Sequence, residues 1–146
     1  MKWRDLLGNW GVNKLQLKAG FLEAEFVAQD VDRNAAWELY VELATRISTQ
    51  PLPHDQGVDK AALSSLHSLF GTTREILKKH GPSASRFAPL AIAVLNDVLR
   101  PFLTRWHAQF EAGLPLGDAD HRKFRSEVEA IRQDMLQYAD LLARIA

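Results

Sequence analysis

Phe124, Val128, Ile131, Met135, Tyr138, Leu142 and Ile145 recur at steps of 4, 3, 4, 3, 4 and 3. That spacing holds all seven side chains on one side of a helix and draws an a/d seam three heptads long. A helix with such a seam must bury it against something. The sequence leaves two solutions open: the seam packs on the rest of the chain, or it zips to a second copy. In the second case Val128, Met135, Tyr138 and Leu142 are interface residues.

The rest of the chain is also largely helical. From Asp30, Ala36, Tyr40, Leu43 and Ile47 form one apolar stripe, and Trp37, Val41 and Ala44 form a second. Two stripes predict a central helix, and Asp30 and Asp32 suit its N-terminal end. Pro51 and Pro53 break the pattern. Asp59 can cap the next helix, with Leu63, Leu66, Leu69 and Phe70 on its apolar side. Gly71 reads as an interruption, after which Thr72-Thr73-Arg74-Glu75 restarts a helix as a capping box. His80-Gly81-Pro82 is a stop. A further helix begins between Ser83 and Pro89 and runs to about Gly113, and residues 113–120 read as a loop.

Only one stretch has the period of a strand. Leu15, Leu17 and Ala19 alternate with Lys14, Gln16 and Lys18, and Leu22, Ala24 and Phe26 alternate with Glu23 and Glu25. A turn at Ala19-Gly20 sets Leu17 opposite Leu22 and Lys14 opposite Glu25, so both faces match. The expected fold is therefore mainly α: a single domain over residues 1–146, a bundle of four to five helices with a hairpin at about 14–27 packed on it. Such a hairpin is marginal alone and must lean on helices or on another chain. Its outer edge could also be extended by a partner. Leu15, Leu17, Leu22 and Phe26 are its candidate interface residues.

The segment 99–110, LRPFLTRWHAQF, carries a proline inside a helix. Pro101 supplies no N–H to the carbonyl of Asp97, and its ring pushes on the preceding turn. Arg100 and His107 share a polar stripe there, while Trp106 lies on the apolar face. One reading is a recess where Arg100, Trp106 and His107 meet a ligand or partner. The other is a kinked core helix with a solvated stripe. A second basic group, Arg122, Lys123 and Arg125, sits where a helix macrodipole disfavours cations. It is a candidate for an anion or an acidic partner, or it is offset locally by Asp118 and Asp120, either of which could cap the helix.

Several classes are excluded or disfavoured. The chain has no cysteine, so disulfides, thiolate metal sites and cysteine nucleophiles are impossible. No two histidines share ligand spacing on one helix, so no metal or other cofactor is expected. GxSxG, P-loop and GxGxxG motifs are absent. Glu23 and Glu25 are paired carboxylates, but the facing lysines account for them. Eighteen basic residues balance eighteen acidic ones, which argues against nucleic acid as partner. The N-terminus leads into no apolar signal-like run, and the longest apolar stretch is too short for a membrane. The expectation is a cytoplasmic, non-enzymatic protein-interaction module, self-associating, serving as subunit or adaptor. The alternative is a regulatory domain that binds an anion or small ligand in the recess at Pro101.

Overall fold

The computed structural model describes residues 29–46, 59–112 and 117–146 in full, and only the backbone of 15–18 and 21–24. The described body is mainly helical, with four helices. Helix α1 is Asp30–Ala44 and α2 is Asp59–His80. Helix α3 runs without a break through Ala88–Ala93, a π-helical stretch Val94–Leu99, and Arg100–Glu111. Helix α4, Asp118–Ile145, is the longest of the four.

The seam of α4 turns inward. Phe124, Val128, Ile131, Met135, Tyr138, Leu142 and Ile145 are all buried within the chain's own core. Leu141 and Ala139 are buried beside them, so the apolar face is wider than a two-stranded zipper needs. This corrects the interface reading of Val128, Met135, Tyr138 and Leu142: α1 and α3 already cover that face. Phe124 shows the packing. It meets Trp106 and Phe110 edge-on, at centroid distances of 5.1 and 5.4 Å, and stacks near Phe102 at 5.9 Å.

Helix α1 packs on α4 and α2 through Ala35, Ala36, Leu39 and Leu43. The two small alanines allow close approach of its neighbours. The second stripe expected to be buried instead faces out: Trp37 is 55% exposed and Val41 42%. Of the first stripe Ala36 and Leu43 are buried, and Leu39, not Tyr40, fills the core position between them.

Gly71 does not interrupt α2. The buried face Leu63, Leu66, Leu69, Thr73 and Ile76 continues on either side of it. Tertiary burial outweighs the roughly 1 kcal/mol that a helix-interior glycine costs. The stop after His80 falls where expected, and Gly81 adopts φ +69°, the left-handed conformation that favours glycine. A short 3-10 turn, Gly81–Ala84, leads toward α3.

Asp32 holds that junction. Its side chain is fully buried on α1. One oxygen accepts the backbone N–H of Gln29 at 3.0 Å, at the start of its own helix. The other accepts the N–H groups of Arg86 and Phe87, at 3.2 and 3.0 Å, just before α3. One carboxylate thus serves the otherwise unpaired N–H groups of two helix starts.

At Pro101 the helix changes pitch. The π-helical stretch ends at Leu99 and the α-helix resumes with Arg100, so Pro101 occupies one of its first positions. A wider turn is one way to accommodate a ring that offers no N–H.

The two four-residue strands Leu15–Lys18 and Phe21–Ala24 run antiparallel as backbone, with Leu17 opposite Leu22. Their turn, flanks and side chains lie outside the described residues. So do the side chains of Leu15, Leu17, Leu22 and Phe26, and with them the packing of the hairpin on the bundle. Residues 113–116 also lie outside, and α4 begins at Asp118, within the segment read as a loop.

Candidate functional site

Two polar helix faces meet between α2 and α3. On α2, His67, Gly71 and Arg74 follow one another at steps of four and three. On α3, Arg100, Thr104 and His107 do the same. The helices cross antiparallel here. The His67 and His107 rings stack 5.8 Å apart with only 11° between their planes. One turn along, the guanidinium of Arg100 lies 5.0 Å over the Phe70 ring. The Arg74 end of α2 therefore meets the Arg100 end of α3.

These residues line an open groove of about 630 Å³. Its lining includes Leu103 and the bare backbone of Gly71; Ser68, Thr72 and Thr104 contribute hydroxyls. Arg100 is steadied by Phe70 and by a 3.0 Å hydrogen bond that its Nε donates to Oδ1 of the Asn96 side chain. Both partners are neutral, so its charge is not cancelled there. Glu75 is the acidic member of the lining. At the other end His107 Nε2 lies 2.9 Å from Glu111, with the two side chains 50% and 70% exposed. That pair is open to water, and a shielded imidazole–carboxylate pair for general-base chemistry is not formed by it.

The structure thus brings Arg100 and His107 together but separates the other candidates from them. Trp106 points the opposite way: it is 1% exposed, packs on Phe124, and its indole N–H donates to Glu127. Arg105 also donates to Glu127, which ties α3 to α4. Trp106 is a core anchor, not part of a recess.

The basic group at the start of α4 is divided too. Arg122 and Lys123 are exposed, but Arg125 is buried, with its Nε 2.6 Å from an Asp59 carboxylate oxygen. His121 Nδ1 lies 2.7 Å from the other oxygen of Asp59. At Arg125 the unfavourable macrodipole position is offset by the carboxylate at the start of α2. Asp118 and Asp120 lie exposed in the first turn, and Gly117 occupies the cap position.

Sequence reasoning missed His67, Phe70, Gly71 and Arg74. Dividing α2 at Gly71 hid the face they share; reading one continuous helix reveals it. Among the described residues no cluster of three His, Asp or Glu side chains could hold a metal ion. None of the described helices is long and apolar enough to cross a membrane. No family model, curated protein or solved structure matches the chain.

Proposed function

We propose that the chain is a regulatory domain that binds a small anionic ligand in the groove between α2 and α3. The observation that carries this reading is the convergence of Arg74, Arg100, His67 and His107 on one concave surface. Guanidinium groups suit oxyanions because their N–H donors form a fork that matches carboxylate and phosphate. A groove of about 630 Å³ lies within the usual range of small-molecule sites. Ligand binding to the folded state raises its melting temperature. Phosphate, sulfate and carboxylate compounds, screened by thermal shift, should therefore raise the melting temperature of the wild type. Arg100→Ala should abolish the shift while keeping its helical circular dichroism. An equal shift in Arg100→Ala would reject this site.

A protein-interaction reading has one specific observation in its favour. Trp37 is 55% exposed, tilts against Tyr40 at 5.4 Å, and stands beside exposed Val41. Tryptophan is enriched among residues that dominate interfaces. In this reading the face meets a second copy of the chain, and the edge of the hairpin at 14–27 extends the contact. Sedimentation equilibrium at tens of micromolar should then show a dimer that Trp37→Glu dissociates. A strict monomer would end the self-association reading.

A further inference from the structure

The groove is larger than a bare oxyanion requires, and its two ends differ. Arg74 and Arg100 mark one end; the parallel imidazoles of His67 and His107 mark the other. Between them lies Gly71. A Cβ built there would meet nothing within 4 Å, and its φ is not in the left-handed region. Neither packing nor backbone conformation requires a glycine, although alanine would favour the helix. What the missing side chain leaves is open space along the groove.

Resting on the anion-binding reading, we infer that the ligand is an organic phosphate monoester with a flat ring. Its phosphate sits between Arg74 and Arg100, its body crosses the bare backbone at Gly71, and its ring stacks at the His67–His107 end. Two guanidinium groups suit a dianion better than a monoanion. Aromatic rings favour stacked or edge-on partners, and two exposed imidazoles line this end of the groove. A ligand that lies against a helix backbone requires a residue without a side chain at the crossing. Glu75 opposes any anion near it, which makes the phosphate's place between the two arginines more restrictive.

The experiment is calorimetric titration of the full chain with inorganic phosphate, glucose 6-phosphate and adenosine 5′-monophosphate. It is performed on the wild type, Gly71→Ala and Gly71→Leu. Adenosine monophosphate should bind the wild type at least about tenfold more tightly than the other two, a difference of about 1.4 kcal/mol. Gly71→Leu should remove most of that advantage and leave inorganic phosphate within about twofold, because only the crossing body meets the new side chain. Gly71→Ala should melt at or above the wild-type temperature, which separates a blocked groove from a damaged fold. Equal affinity for all three phosphates, or adenosine monophosphate binding indifferent to Gly71→Leu, overturns the ring-bearing ligand and leaves anion binding standing. Absence of binding by all three overturns this inference. If the wider anion screen also gives no shift, the anion-binding reading falls with it.

Discussion

At the scale of single residues, Asp32 shows how little a residue's type reveals about its work. An aspartate near a helix start is an ordinary cap, and the sequence supports that much. In the fold the same carboxylate is fully buried and also accepts the N–H groups of Arg86 and Phe87. Replacing it with alanine leaves buried donors without acceptors, a loss of about 3 kcal/mol. Urea unfolding of Asp32→Ala should show that loss as a lower midpoint at an unchanged slope. Asp32→Asn, which keeps one oxygen acceptor, should lose less. Equal stability of Asp32→Ala and wild type would contradict the role assigned to this side chain. Arg125 teaches the same lesson: a cation in a basic run is, in three dimensions, the buried partner of Asp59.

At the scale of elements, the surface of α4 makes a titration testable. Glu129 receives two guanidinium N–H donors from Arg132, at 2.8 and 2.6 Å, and an amide N–H from Gln133 at 3.1 Å. The Arg132 hydrogen bonds, then that of Gln133, hold its carboxyl down to about 2. A depressed carboxylate adds stability above its unfolded pKa of about 4.5, and that stability fades as pH falls toward 2. Glu129 is 53% exposed, so solvent screens the pair and the effect on global stability is small. Side-chain carboxyl resonances should show Glu129 titrating near 2, and Arg132→Ala should return it toward the ordinary glutamate range. An ordinary midpoint in the wild type would mean that the three hydrogen bonds do not persist in solution. On α3, Pro101 marked an irregularity that the sequence could locate. Its form is a π-helical stretch, Val94–Leu99, that ends just before the proline.

At the scale of the whole molecule, the core closes around α4. Burial pushes the Tyr138 phenol well above its ordinary value. Below about pH 10 the phenol is neutral in both states, and its burial carries no ionisation cost. Above that, the unfolded chain ionises and the folded chain does not, so stability declines as pH rises. In an alkaline titration, ionisation of Tyr138 should coincide with loss of helical circular dichroism. A Tyr138 that ionises in a fully helical protein would show that water reaches this part of the core.

The sequence by itself determined the local features: a long C-terminal helix with an apolar seam, the stop at Gly81, and the irregularity near Pro101. Each depends on residues within a turn or two of one another, so spacing and backbone preference are enough. The tertiary structure decided which faces meet. It turned the seam of α4 inward, left Trp37 outside, carried α2 through Gly71, and gave Asp32 a second helix to cap. It also set His67 against His107 and put Arg74 and Arg100 on one groove, although forty and twenty-six residues separate these pairs. The physical reason is that a helical period defines a face without naming its neighbour. That choice belongs to the packing of all four helices around one core, where burying one face decides which polar residues are left together at the groove.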